Sequence, residues 1–220
     1  MSGARLERSF FARPAAELAP ALIGQRLARR LPGGLILSGI IVETEAYIGA
    51  PDRASHAFGG RRTPRNEAMY AGPGTAYVYF TYGMHFCMNV VCAQADDPQA
   101  VLIRALEPDE ASQEEFRRRR GVEKPTLLCS GPARLCQALA IDLGLNSLDL
   151  CVSNVLWLER GPGSARRLRR TPRIGVAYAG SWARRLLRWL DADSPHVSKS
   201  ADGKRSVRSK RGGSKNRKPT

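Results

Sequence analysis

The sequence lacks the patterns of a membrane protein or of a disulfide-bonded secreted domain. No apolar run approaches the roughly 20 residues that a membrane-spanning helix needs. The N-terminus has no apolar signal-peptide core. The five cysteines form no C-x-x-C pair and are odd in number, so neither a disulfide framework nor a zinc cluster follows. We therefore expect reduced thiols in a cytoplasmic protein, associated with the nucleoid in a bacterium.

Signatures of metal, nucleotide and serine-nucleophile sites are missing too. The three histidines, His56, His85 and His196, have no metal-ligand spacing. The chain has no G-K-[ST] phosphate loop, no G-x-G-x-x-G after a strand and no G-x-S-x-G. We expect neither a metal site nor a cofactor.

Acidic residues are scarce relative to basic ones. The chain has 35 Lys and Arg against 20 Asp and Glu, a net charge of +15, which favours a polyanionic partner such as nucleic acid. Residues 197–220 hold nine of these cations and one acid, leaving +7 on residues 1–196. This apolar-poor segment is predicted to be a disordered tail after a single domain over 1–196. It could raise nonspecific DNA affinity or be a passive solubilising extension.

Hydrophobic residues make up 43% of the chain, enough for a core. Apolar and β-branched runs predict strands, and 3.6-residue patterns predict helices. The strands are Leu35–Ala46, Thr75–Tyr82, His85–Ala93, Ala100–Leu106, Leu150–Leu158 and Arg173–Tyr178; the helices are Ala15–Ile23, Glu110–Arg120 and Gly131–Ala140. A long loop over Ile48–Arg65 indicates function. The pattern predicts an α+β domain with a mostly antiparallel sheet.

Charged residues inside the apolar strands are the first candidates for chemistry. Glu43 and Glu45 are two apart, so their carboxylates share a strand face; one can be a general base, or both can be solvated at a strand end. Arg104 interrupts an apolar strand and needs a carboxylate, either Glu45 or the nearer Glu107. His56 follows in the loop, where bracing is the commoner role.

Tyrosines and arginines suggest nucleic-acid contacts. Tyr77 is expected in the core, whereas Tyr82 lies beside Gly83 at a hairpin tip, where an aromatic ring can wedge between base pairs. The glycine-bearing turn after Phe58 suits phosphate contacts. Its candidate DNA-contacting residues are Arg61, Arg62, Thr63 and Arg65.

Seven ordered segments resemble the alkyladenine (3-methyladenine) DNA glycosylase family. They are VETEAY, ASHAFGGRRTPRN, PGTAYVYFTYGMHFCMN, VLIRALEP, LCSGPARLCQALAI, WLERGP and RIGVAYAGSWA, spread over about residues 10–190. The resemblance implies a curved, open-barrel-like antiparallel sheet with surrounding helices. It also implies a β-hairpin that enters the DNA minor groove while a damaged purine is flipped into a pocket.

The resemblance also implies roles for individual residues. Glu45 matches the base that activates water, and Arg104 matches the group that holds Glu45 and that water. In the pocket, Tyr47 and Tyr79 match the residues on the two faces of the flipped base, and His56 matches the residue at its edge. Asn89 matches the residue that lies against a guanine amino group, and Leu102 lies beside the pocket. On the DNA, Tyr82 matches the wedge, and Met84 and His85 are its neighbours. No lysine lies in the matched segments, so no lyase step is expected.

Three features depart from the family pattern: His85 in place of an aromatic residue, two extra residues near Asp96 to Gln99, and the tail. The expected protein is a monomeric, monofunctional glycosylase of base excision repair. It would release 3-methyladenine, 7-methylguanine, and also hypoxanthine or ethenoadenine, from double-stranded DNA, without a membrane partner. The alternatives are a non-catalytic nucleic-acid-binding module and a nucleoside hydrolase.

Overall fold

A computed structural model describes residues 3–81, 83–163 and 166–198. Its strands are β1 (Arg26–Arg30), β2 (Ile36–Tyr47), β3 (Ala76–Thr81), β4 (His85–Cys92), β5 (Gln99–Pro108), β6 (Leu156–Glu159), β7 (Leu168–Thr171) and β8 (Arg188–Asp191). Its α-helices are α1 (Arg8–Phe11), α2 (Ala15–Leu22), α3 (Gln113–Arg120), α4 (Pro125–Leu128) and α5 (Pro132–Ala138). Short 3-10 turns cover 58–60, 67–70, 110–112, 143–145 and 177–184.

The eight strands form one antiparallel sheet centred on the long strand β2. Its main path runs β3-β4-β5-β2-β1-β6. Strand β5 pairs along one edge of β2, while β1 and then β8 pair along the other edge. The register between β2 and β5 shifts on both sides of Glu43, which marks a bulge there. The expected α+β fold with a mostly antiparallel sheet is confirmed.

Strand alternation gives the sheet two chemically different faces. Side chains at even-numbered positions of β3 and β4, including Val78 and Val90, join the main core together with Ala46 of β2 and Ile103 of β5. Helices α2 and α5 pack on that face. Side chains at the alternate positions of these strands point to the other face of the sheet, among them Glu45, Tyr79, Asn89 and Arg104. The second face therefore collects the polar and aromatic residues of four strands.

Strands β3 and β4 form a hairpin, with Thr81 opposite His85. Gly83 in its tip has φ of 68°, a conformation that glycine adopts without strain. Met84 in the tip is 68% exposed. The predicted wedge, Tyr82, lies outside the described residues.

Several local predictions are wrong in detail. Arg173–Tyr178 is not a strand; residues 173–176 form a bend that leads into the 3-10 segment at 177–184, and the Arg173 side chain bonds the buried carboxylate of Asp52. The strand expected over Leu150–Leu158 begins only at Leu156, where pairing with β1 begins. Strand β1 was not predicted because its sequence, RLARR, does not alternate between polar and apolar residues.

No helix among the described residues is long and apolar enough to cross a membrane. The chain after β8 turns back onto the second face of the sheet. Ser198, the last described residue, is 7% exposed and contacts the side chain of Glu43.

Candidate active site

A cavity of about 190 Å³ lies against the second face of the sheet. Aromatic rings, small apolar groups and few charged groups line it, as is usual for a small-molecule site. Its lining includes Tyr47, His56, Tyr77, Tyr79, Cys87, Asn89, Leu102, Arg104, Ile174 and Tyr178. The structure thus brings all the residues predicted for the base pocket, together with Arg104, to one place.

Glu45 lies immediately behind the lining residues and is fully buried. The Tyr47 hydroxyl donates a 2.9 Å hydrogen bond to Glu45 Oε2, and the Ile174 backbone N–H donates a 2.8 Å bond to Oε1. Arg104 Nη1 lies 3.2 Å from the same Oε1. The expected ion pair between Arg104 and Glu45 is present. The carboxylate of Glu45 thus has three described partners, and its Oε2 atom accepts one described hydrogen bond.

Glu43 is equally buried but has a different environment. Its Oε1 accepts 2.7 Å hydrogen bonds from Arg104 Nε and from Arg188 Nε. Burial favours a higher pKa for Glu43, but Arg104 and Arg188 outweigh it and keep that pKa below its ordinary value. The two carboxylates are therefore not solvated at a strand end.

A separate buried ion pair, which the sequence did not indicate, supports Tyr47. Arg173 Nη1 and Nη2 donate 2.6 Å and 2.9 Å hydrogen bonds to the two oxygens of Asp52, and both side chains are fully buried. Arg173 Nη1 also donates to the Ala46 carbonyl oxygen at 2.8 Å. Arg173 Cζ lies 4.7 Å from the centroid of the Tyr47 ring. This contact occupies one face of the ring.

Asp52 also fixes the loop that follows β2. Its carboxylate accepts hydrogen bonds from the backbone N–H groups of Ile48 and Ala54 at 3.1 Å and 3.0 Å. A polar side chain in this bonding pattern organises a turn rather than a catalytic centre. The loop then carries His56 to the cavity wall.

Three further rings of the cavity lining contact one another. His56 Nδ1 and the Tyr77 hydroxyl are 2.7 Å apart, and the His56 and Tyr79 rings meet edge to face with centroids 4.6 Å apart. Tyr77 is 2% exposed, so its expected place in the core is confirmed, although it also lines the cavity. Desolvation, followed by the charges of Arg65 and Arg61, lowers the pKa of His56. The imidazole is therefore neutral at pH 7.

The floor of the cavity comes from β4 and β5. The Asn89 Nδ2 group donates a 3.1 Å hydrogen bond to the Tyr77 carbonyl oxygen, which fixes the side-chain amide. Leu102 pairs with Glu45 on one side and Asn89 on the other and is 3% exposed. Burial raises the pKa values of Tyr47 and Tyr79, so both phenols stay protonated at neutral pH.

A second, cationic cavity of about 310 Å³ opens beside the first. Arg53, Arg61 and Arg65 line it, together with Thr63, and it shares Ser55, His56 and Tyr178 with the first cavity. Asn66 braces this wall: its Oδ1 accepts from the Thr63 N–H at 2.7 Å, and its Nδ2 donates to the Arg61 carbonyl oxygen at 2.8 Å. Three arginines in one concave surface form an anion-attracting site.

The other residues predicted to touch DNA lie in different surroundings. Arg62 is paired with Glu67 at 2.6 Å and with Asp96 at 2.8 Å, so its charge is locally balanced. Met84 and His85 are exposed at the hairpin tip. Among the described residues, no group of three or more His, Cys, Asp or Glu side chains could hold a metal ion.

Comparison with known proteins gives one family. A model of the methylpurine-DNA glycosylase (MPG) family matches residues 9–195. The human DNA-3-methyladenine glycosylase is 48% identical over 204 residues, which cover 88% of this chain and 68% of that protein. The mouse DNA-3-methyladenine glycosylase is 46% identical over 205 residues, 88% of this chain and 61% of the mouse protein.

Relatives of similar length also occur. The putative 3-methyladenine DNA glycosylase of Methanocella arvoryzae is 46% identical over 198 residues, which cover 90% of this chain and 98% of the archaeal protein. The chain therefore spans nearly all of the archaeal relative and about two thirds of the mammalian ones.

Proposed function

The chain belongs to the methylpurine-DNA glycosylase family, and we propose that this DNA repair glycosylase hydrolyses the N-glycosidic bond of damaged purines with a water activated by Glu45. The observation that carries the proposal is the position of Glu45. A fully buried carboxylate lies directly behind an aromatic cavity, held by Arg104, the Tyr47 hydroxyl and the Ile174 N–H. A carboxylate that can act as a general base therefore adjoins a slot for a flat ring.

The proposed reaction balances with water as the only added reactant. Glu45 takes a proton from water as the water oxygen bonds to C1′ of the nucleotide. The bond between C1′ and the purine nitrogen breaks, and its electron pair leaves with the base. Carboxylate oxygens have about four lone-pair sites between them. Glu45 Oε2 accepts one described hydrogen bond, from Tyr47, which leaves a site for the water.

The aromatic walls suit a flipped purine. Extruding a base from the duplex costs a few kcal/mol, and stacking on an aromatic ring returns about 1–3 kcal/mol. Tyr47, Tyr79 and His56 all line the cavity, which supports stacking of the flipped base between Tyr47 and Tyr79. A purine alkylated on a ring nitrogen is cationic, so it gains a further ~0.5–2 kcal/mol from the rings and leaves without being protonated.

We propose the same substrate range that the resemblance implies: 3-methyladenine and 7-methylguanine, and also hypoxanthine or ethenoadenine. The fixed amide of Asn89 supports discrimination at the purine edge, because the hydrogen bond to Tyr77 holds its bulk in one place. A neutral base needs more help to leave. The neutral His56 is a described group at the cavity that can donate a hydrogen bond to it.

The cationic cavity favours DNA over a free nucleoside. Arg53, Arg61 and Arg65 surround a concavity that adjoins the base slot, where phosphates next to a flipped nucleotide would pass. A nucleoside hydrolase has no need for this feature. A purely DNA-binding module, in turn, has no need for Glu45 behind the slot.

The test is a lesion panel with the full chain. Duplexes that each carry one damaged purine are incubated with the parent protein, Glu45→Gln and Glu107→Gln, and abasic sites are then cleaved with alkali. We expect excision by the parent and by Glu107→Gln, and a loss of about 10²–10⁴-fold in Glu45→Gln with lesion binding retained. Full excision by Glu45→Gln would refute the role of Glu45.

A further inference from the structure

Glu43, the second buried carboxylate, has a different set of partners from Glu45. Besides the two arginines, it contacts the last described residue of the chain: Ser198 donates its backbone N–H to Glu43 Oε2 at 2.5 Å and its hydroxyl to Oε1 at 2.8 Å. Arg188 Nη2 also donates to the Ser198 carbonyl oxygen at 3.4 Å. Glu43 thus accepts four described hydrogen bonds, three at Oε1 and one at Oε2.

These contacts determine how Arg104 meets Glu45. Arg104 Nε donates to Glu43 at 2.7 Å, and Arg104 Nη2 donates to the Ser198 hydroxyl at 3.4 Å. The described contact with Glu45 is made by Nη1, at 3.2 Å. The three nitrogens of one guanidinium are therefore divided between Glu43, Ser198 and Glu45.

This division has a chemical consequence. A guanidinium next to a carboxylate normally forms two parallel hydrogen bonds with it. Such bonding stabilises the carboxylate form and makes it a poorer proton acceptor. Because Glu43 and Ser198 occupy two nitrogens of Arg104, Glu45 receives a single, longer contact and keeps lone pairs for water. Two carboxylates also face two guanidinium groups, Arg104 and Arg188, so the buried charges balance.

We propose that Glu43, Arg188 and Ser198 are positioning residues that hold Arg104 away from bidentate pairing with Glu45 and so preserve Glu45 as a base. The proposal rests on the proposed function of Glu45. It assigns the segment after β8 a task in the reaction, since Ser198 closes the network from 155 residues away along the chain. Arg188 acts from β8, whose residues Arg188 and Leu190 pair with Glu45 and Glu43.

The experiment measures single-turnover excision of a 7-methylguanine duplex by full-length variants over a range of enzyme concentrations. It separates the maximal rate from the concentration that gives half of that rate. The variants are Glu43→Gln, Ser198→Ala and Ser198→Thr. The matched controls are Glu107→Gln, a carboxylate on β5 that pairs with Arg166, and Ser194→Ala, whose one hydrogen bond within the described part of the chain comes from the nearby His196 N–H.

We expect Glu43→Gln to lower the maximal rate about 10- to 100-fold and Ser198→Ala about 3- to 10-fold, the range for losing hydrogen bonds to charged groups. The half-saturating concentration should stay within about 2-fold of the parent value, because DNA contacts are unchanged. Ser198→Thr should restore the rate, and both controls should match the parent. Active-site titration corrects every rate for folded protein.

If Glu43→Gln does not fold, the charge-balanced double variant Glu43→Gln/Arg188→Met replaces it, with the same expected loss of maximal rate. Maximal rates equal to the parent in Ser198→Ala and in either Glu43 variant would overturn the proposal, as would parallel losses in the controls. The Glu45→Gln result separates the two ideas. If that variant is inactive while these variants excise normally, only the positioning role fails; if it is active, the proposed function fails.

Discussion

The guanidinium carbon of Arg173 lies 4.7 Å from the ring centroid of Tyr47 while its two terminal nitrogens bond the carboxylate of Asp52. The contact joins three segments of the chain: the end of β2, the loop after it and the turn after β7. It fixes the ring that would stack on a flipped base. The same Tyr47 donates its hydroxyl to Glu45, so one side chain connects the aromatic slot to the carboxylate.

We expect Asp52→Asn to destabilise the protein by about 3–5 kcal/mol, because it leaves the buried Arg173 without a counter-charge. Urea unfolding measures this change. The double variant Asp52→Asn/Arg173→Met should recover part of the loss, since no unpaired charge remains. A double variant whose destabilisation equals the sum for Asp52→Asn and Arg173→Met alone would show that the pair does not act as a unit.

We expect the histidine NMR signal of His56 to titrate with a midpoint below 6.5, since desolvation and then the charges of Arg65 and Arg61 lower its pKa. The folded state therefore favours the neutral ring, and any stability it contributes is lost as the pH falls below about 6.5, where the unfolded chain takes up the proton first. Replacing Arg65 by Gln removes a positive charge and should raise the midpoint. His56→Gln identifies the signal, and Arg13→Gln is the distant control. A midpoint that does not move in Arg65→Gln would contradict the electrostatic cause.

We expect Tyr82→Ala to lower excision from duplex DNA about 10- to 100-fold, the effect of losing roughly 1–3 kcal/mol of stacking in the gap left by the flipped base. Tyr82 itself lies outside the described residues, but its hairpin neighbour Met84 is exposed. The melting temperature should stay within a few degrees of the parent value. Leu35→Ala, at an exposed apolar residue far along the sequence, controls for surface truncation. An unfolded Tyr82→Ala protein whose folded fraction excises normally would identify a core residue.

We expect removal of Lys199 to Thr220, which keeps Ser198, to leave single-turnover excision at low salt nearly unchanged. The deleted residues carry nine Lys and Arg and one Asp. Without these cations the protein should neutralise fewer phosphates, and the logarithmic salt slope of duplex binding should flatten by about 0.9 per phosphate. Fluorescence anisotropy at several salt concentrations measures the slope. An identical slope would mean that the tail does not bind DNA.

We expect EDTA to leave excision unchanged, because the proposed reaction needs only a carboxylate and water. The measurement compares rates of the protein as purified, after chelation, and after added zinc or magnesium. Activity that falls on chelation and returns with either metal would contradict a metal-free reaction.

The sequence predicted the strands on which the site residues lie, because strand alternation and the burial of a charge leave local patterns. Alternation along β3 predicted that Tyr77 and Tyr79 share a face, and the spacing of Glu43 and Glu45 predicted that both carboxylates point the same way. Arg104, as a lone charge in an apolar strand, required a buried acidic partner. The first two inferences use only period-two geometry, which neighbouring residues determine, and the third uses the cost of burying an unpaired charge. The order of the motifs then indicated the family.

Only the tertiary structure decided which charges meet. Arg173 and Asp52 are 121 residues apart, Arg188 and Glu43 are 145 apart, and Ser198 and Glu43 are 155 apart. No local pattern marks these partners, because strand register and the return of the chain after β8 bring them together. Because no local pattern shows these long-range contacts, the sequence also predicted a strand over Arg173–Tyr178 that does not form. Local periodicity determines the face on which a side chain lies, whereas long-range pairing determines which opposite charge it finds there.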